Sequence, residues 1–268
     1  MYHYMITISY DGSSWSGWQT QGRHVCLKPN TIQDNIELAL AGIFGEPVRI
    51  CGSGRTDAGV HALAQTADFF CKKQIKSKNF LSEINSALPE TIRITSVREV
   101  PEKFHSRKSA VSKTYAYFVS LSEKPDVFLA KYLYNPYLPP VSLAENSAEE
   151  PDIKKMLDAA KILCGTHDFS AFTTDKTEKS HVRTIMDISI DTETLSSGCK
   201  YLKMQFTGNG FLYNMVRILS GTLLETGYGK LTPEQVSSAL KSRTRSNAGA
   251  TLPSNALFLC SVEYPPYL

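Results

Sequence analysis

Apolar and polar residues alternate over 2–10, YHYMITISY, with Tyr2, Tyr4, Ile6, Ile8 and Tyr10 at every second position. That period of two predicts a half-buried strand. The spacing becomes helical in TIQDNIELALAGIFG (31–45), where Ile32, Ile36, Leu40 and Ile43 share a face. Thr31 is the expected N-cap, with Asp34 three residues on, and Gly45 suits the C-cap. Short strands are predicted at 47–51 and 64–71, so the glycine-rich segment between them joins two strands. A helix at 79–88, stopped by Pro89, precedes strands at 91–100 and 112–122, and in the latter Tyr115, Tyr117, Val119 and Leu121 lie on one face.

The stretch 135–152, rich in proline and acidic residues, has no period and is expected to be a linker or surface excursion. Beyond it the pattern predicts a helix at 151–165, strands at 183–191 and 200–207, an apolar helix at 209–227, a helix at 232–241 and a strand at 256–264. Thr232, Pro233 and Gln235 form a capping-box signature for the last helix. Helices and strands mix without βαβ regularity. The expected class is therefore α+β, a mostly antiparallel sheet flanked by helices. Two similar α/β halves are expected, 1–105 and 106–268.

In the 209–227 segment Phe211, Leu212, Met215, Val216, Ile218, Leu219, Leu223 and Leu224 surround the helix, which is the mark of burial on most sides. Arg217 stands in the middle of them. A guanidinium in an apolar interior is costly without a partner, so Arg217 is expected to meet a carboxylate or a ligand phosphate. The alternative is that it snorkels or ties helix to sheet. Gly210, Asn214, Arg217 and Gly221 would form a narrow polar or small stripe beside it.

Composition adds bounds. Of 268 residues 42% are hydrophobic and 21% charged, as in ordinary globular chains, and MYHYMITISY carries no secretory signal, so a cytoplasmic protein without a membrane span is expected. Six cysteines, Cys26, Cys51, Cys71, Cys164, Cys199 and Cys260, show no Cys-x-x-Cys spacing; reduced thiols are expected and no metal. The net charge of +3 does not decide for or against nucleic acid, although basic clusters occur at 72–78, 107–113 and 241–245. Each is a solvated loop or helix end unless something anionic binds it.

The segment GSGRTDAGVHA (52–62) carries the candidate chemistry. It lacks the Gly-Lys-Ser/Thr of a phosphate loop, and Asp57 occupies the place of the third glycine of a dinucleotide fingerprint. Asp57 could serve merely as a turn aspartate. An aspartic hydrolase would need a second Asp-Thr/Ser-Gly copy, and Ala58 stands where the hydroxyl belongs. The zinc deaminase pattern is also missing.

GSGRTDAGVHA closely resembles the catalytic loop of the tRNA pseudouridine synthase A family. The likeness continues through YDGSSWSGWQ (10–19), TIQ (31–33), FHSR (104–107), KTYAY (113–117), HDFSAF (167–172), VRTI (182–185), GNGFLYNMVRILSGTLL (208–224) and AGATLP (248–253), in family order. Departures fall at Ser13, Trp15, Ser106 and Ala256. The resemblance implies the pseudouridine synthase fold and isomerisation of uridine to pseudouridine at positions 38 to 40 of the tRNA anticodon arm, by a homodimer with no metal or organic cofactor. It puts the catalytic aspartate at Asp57, the arginine of the same loop at Arg55, the tyrosine that packs against the target uracil at Tyr115, and the carboxylate-pairing arginine at Arg217. The competing expectation is an RNA-binding homologue of the same fold that has lost catalysis.

Overall fold

The structure, a computed structural model, describes residues 1–19, 30–75, 79–124, 126–138, 141–144, 150–177 and 180–266. In chain order the strands are β1 (Tyr2–Tyr10), β2 (Ile50–Gly52), β3 (His61–Cys71), β4 (Ile92–Glu99), β5 (Ser112–Ser120), β6 (Gly165–Asp168), β7 (Val182–Thr194), β8 (Lys200–Gly208) and β9 (Leu257–Glu263). The helices are α1 (Ile32–Phe44), α2 (Phe80–Ala87), α3 (Ile153–Leu163), α4 (Met215–Gly227) and α5 (Pro233–Ser242). The α+β class read from the sequence is the class observed. Among the described residues no helix is long and apolar enough to cross a membrane.

The chain divides into two compact units, one of residues 1–113 together with the segment from Phe258, the other Thr114–Leu257. In the first, the strand order is β4-β1-β3-β9, with β2 paired to β3. All pairs are antiparallel except β3 with β9, where His61 faces Phe258 and Ala62 faces Leu259. Its core is Ile6, Ile8, Ile32, Ile36, Leu40, Phe69, Ile84 and Ile94, all but solvent-free. α1 starts and stops as its sequence predicts: Thr31 accepts from Asp34 N, and Gly45 takes the left-handed conformation at φ 73°.

The second unit orders its strands β5-β8-β7-β6. α3 packs against α4, α5 and β7, burying Met156, Leu163, Leu219, Leu223 and Val236. α5 carries the complete capping box of Thr232 and Gln235. Here the sequence reading of 209–227 needs correction, because α4 begins only at Met215. Asn209 instead prolongs the strand pairing, donating its amide to Thr184 O at 3.1 Å while its Oδ1 accepts Thr184 N at 3.0 Å. Asn214 then sits at φ 60°, which a helix interior does not allow. Gly210 therefore lies off the helix, and the stripe inferred for it shortens to Asn214, Arg217 and Gly221.

Candidate active site

The Asp57 loop leaves β2 and enters β3, an antiparallel pair that sets Cys51 against Asp68 and Gly52 against Ala67. Its backbone is tied along most of its length. Ser53 N donates to Thr66 O at 2.8 Å, Ser53 Oγ donates to Gln65 Oε1 at 2.6 Å, and Gln65 Nε2 returns to Gly54 O at 3.0 Å. Lys113 Nζ donates to Ser53 O at 2.5 Å. At the far end Val60 N donates to Asp57 O at 3.1 Å, closing a turn whose third residue, Gly59, has φ 80°. Glycine is favoured there because a Cβ is strained at positive φ.

Segment 10–19 holds the loop from another side. Tyr10 OH lies 2.7 Å from Thr56 Oγ1, and Trp18 N donates to Thr56 O at 3.0 Å. Full burial keeps the Tyr10 phenol neutral by pushing its pKa far up. A Cβ on Gly12 would fall 1.9 Å from Val60 O, and one on Gly17, whose φ is 90°, would fall 2.7 Å from Thr56 O. The glycines of YDGSSWSGWQ thus let one backbone lie directly on another. The product is a half-buried Asp57 and an exposed Arg55 on a braced loop.

In the second unit Tyr115 is buried in β5, edge-on to Phe211 with ring centroids 5.2 Å apart. Every residue of α4 is buried except Arg217 and Glu225. Arg217 Nε donates to Leu252 O at 2.6 Å and Nη1 donates to Asn214 Oδ1 at 2.7 Å, while Asn214 Nδ2 donates to Thr174 Oγ1 at 2.8 Å. Half-buried Arg217 therefore ties α4 to the 252 segment. Arg55 and Asp57 share one loop of the first unit. Tyr115 and Arg217, in the second, both lean on 211–217, one on Phe211 and the other on Asn214.

The basic clusters differ in what they do. Lys72 pairs with Glu46 at 2.6 Å and Lys73 donates to Phe44 O at 3.0 Å, whereas Lys76 and Lys78 lie outside the described residues. Arg243 meets Asp168 at 3.2 Å, and Arg245 donates to Ala248 O and Thr251 Oγ1. These cations serve the fold. In 107–113, by contrast, Lys113 is withdrawn from solvent beside the candidate loop, with Arg107 as its charged neighbour.

The description of the family tRNA pseudouridine synthase matches residues 6–107 and 159–265. The chain belongs to the tRNA pseudouridine synthase family. It is 38% identical to tRNA pseudouridine synthase A of Acetivibrio thermocellus over 97% of this chain and 98% of that protein. Identity with tRNA pseudouridine synthase A of Bacillus subtilis is 40% over 96% and 97% of the two chains. With tRNA pseudouridine synthase A 2 of Clostridium perfringens it is 40% over 97% and 98%. The family match takes in the 10–19 segment, the Asp57 loop and Arg217, and Tyr115 falls between the matched ranges.

One group in this family member has the composition of a metal site: Cys51 Sγ, an Asp68 oxygen and a ring nitrogen of His105 lie within 4.8 Å of one another. They edge a cleft of about 600 Å³ that Arg49, Lys103 and Lys108 also line. Several of their lone pairs are already engaged. Asp68 Oδ1 accepts Ser106 N at 2.7 Å, Asp68 Oδ2 meets His3 Nε2 at 3.1 Å, and His105 Nδ1 accepts Arg107 N at 3.2 Å. An imidazole nitrogen has one lone pair, so a cation would have to displace that bond. These bonds brace the root of the loop, helped by Ser106 Oγ, which donates to Cys51 O at 2.5 Å. The five described cysteines are free, and Cys26 lies outside the described residues.

Sequence reasoning missed the supporting residues Tyr10, Trp18, Gln65 and Lys113. The signal for the first two was the pair Gly12 and Gly17, each of which lies against a second backbone. Gln65 left no local signal, and Lys113 stood only as one residue of a basic cluster and of the KTYAY stretch.

Proposed function

We propose that the protein isomerises uridine to pseudouridine in the anticodon arm of tRNA, at position 38, 39 or 40, with Asp57 as the catalytic carboxylate and Arg55, Tyr115 and Arg217 as substrate-binding residues. Family membership supports the reaction. The observation that carries the residue assignment is the bracing of the Asp57 loop, where the carbonyls of Ser53, Gly54, Thr56 and Asp57 each accept a hydrogen bond. Charge held in place before the substrate arrives costs no reorganisation during the reaction.

The C1′–N1 bond breaks, the uracil turns, C1′ joins C5, the proton on C5 leaves to solvent and N1 gains one. Product and substrate are isomers, so the proposed reaction consumes no oxidant, reductant or cofactor. An ionised carboxylate supplies the nucleophile or base for that sequence. The target base must leave the stem stack first, and an aromatic ring such as that of Tyr115 offers the extruded uracil a surface. The protein is proposed to work in the cytoplasm, without metal, as a homodimer.

The test uses tRNA transcribed with tritium at C5 of uridine, incubated with the purified protein alone. Label should pass to water, and mapping should locate pseudouridine in the anticodon arm. A folded protein that binds this tRNA and releases no tritium would be an inactive RNA-binding homologue.

A further inference from the structure

The side chain of Lys113 ends beside Gly54. A Cβ placed on that glycine would find Lys113 Nζ at 3.2 Å and, among the described residues, nothing else within 4 Å, so apart from the ammonium they leave the space over the glycine open. Nζ has three donors. One goes to Ser53 O, a neutral carbonyl, and among the described residues no carboxylate pairs with Lys113. The charged group acting on it is Arg107, which repels it, and Arg55 stands exposed on the next residue of the loop.

Withdrawing an ammonium from water without a counter-charge is unfavourable, and adding a second cation makes it more so. Both costs appear in the pKa of Lys113, which burial and Arg107 lower from 10.5 to about 8. The ion is still mostly protonated at neutral pH. The cations at 72–73 and 243–245 are spent on carboxylates, carbonyls and hydroxyls of the chain itself; Lys113 has donors left, an open glycine beside it and a second cation at hand. That combination fits an anion with several oxygens.

We propose that Lys113, supported by Arg107, binds a backbone phosphate of the substrate RNA over Gly54, and so fixes the strand against the Asp57 loop. The inference rests on the tRNA reading above. It gives Lys113 a role in binding the phosphodiester and none in the chemistry at the uracil. The phosphate would neutralise the paired cations and keep Lys113 protonated above its free-protein pKa.

A phosphate contact has a signature that a purely structural lysine lacks. Each phosphate neutralised contributes about 0.7 to 0.9 to the slope of log affinity against log salt concentration. Binding of folded tRNA is therefore measured across a salt series for the wild type, Lys113→Met and Lys113→Arg. The expected result is a slope smaller by about 0.7 to 0.9 for Lys113→Met and unchanged for Lys113→Arg. The unaltered protein offers a second measurement that needs no variant to fold: because binding must take up a proton once free Lys113 is neutral, its tRNA affinity at fixed salt should fall about tenfold between about pH 7 and about pH 9. An unchanged slope in folded Lys113→Met, or a pH-independent affinity in the wild type, overturns the proposal. A wild type that neither binds the tRNA nor releases tritium overturns the tRNA reading itself. Binding and tritium release with a full slope in Lys113→Met overturn the role of Lys113 alone.

Discussion

The phenolic oxygen of Tyr10 lies 2.7 Å from Oγ1 of Thr56, the residue immediately before Asp57. Both are buried, and the contact joins the end of β1 to the candidate catalytic loop. Tyr10→Phe removes it while keeping the ring. Leaving the buried Thr56 hydroxyl short of a partner should cost about 1 to 2 kcal/mol in stability, measured by urea unfolding. If the bond also positions Asp57, kcat for pseudouridine formation should fall more than KM rises. An unchanged kcat would show that the loop holds its shape without it.

Asp57→Asn keeps the side-chain volume and removes the charge. Turnover should become undetectable in the tritium-release assay while tRNA affinity stays within about threefold, a change under about 0.7 kcal/mol. Wild-type turnover by that variant would remove Asp57 from the mechanism.

Arg217→Met withdraws the donors to Leu252 O and Asn214 Oδ1 from a helix otherwise buried except at Glu225. Charge-assisted hydrogen bonds contribute about 1.5 to 3 kcal/mol each, so the variant should melt several degrees below the wild type and lose activity. Full activity at an unchanged melting temperature would mean that Arg217 serves neither fold nor substrate.

The depressed pKa of Lys113 has a sign that stability measurements can read. Below about pH 8 its ammonium is protonated in the folded and the unfolded chain alike. Between about 8 and 10.5 the unfolded chain holds a proton that the folded chain has released. The state that binds more protons loses ground as pH rises, so the penalty for burying the charge is relieved across that window. The unfolding free energy of the wild type minus that of Lys113→Met should therefore increase from pH 8 toward 10.5 in the absence of RNA. A difference that stays flat would place Lys113 in water.

What the sequence determined by itself is what neighbours within a few positions decide. Thr31 and Gly45 bound α1, Thr232 and Gln235 start α5, and the alternation over 2–10 makes β1, because caps and periodicities act over one or two turns of chain. The Asp57 segment was legible for the same reason: its glycines, arginine and aspartate are consecutive. Tertiary structure alone decided where Phe258 pairs, since the parallel contact with His61 depends on the whole sheet and leaves no local mark. It also decided that α4 waits until Met215, because Asn209 finds Thr184 on β7 and Asn214 turns left-handed, against an apolar pattern that runs on as if helical. The seat of Lys113 belongs here as well. A lysine in a basic stretch looks like a solvated one until Ser53 and Gly54, some sixty residues earlier in the chain, are folded against it. Burial and an open glycine face are properties of packed surfaces, and packing sums contacts that a one-dimensional pattern does not contain.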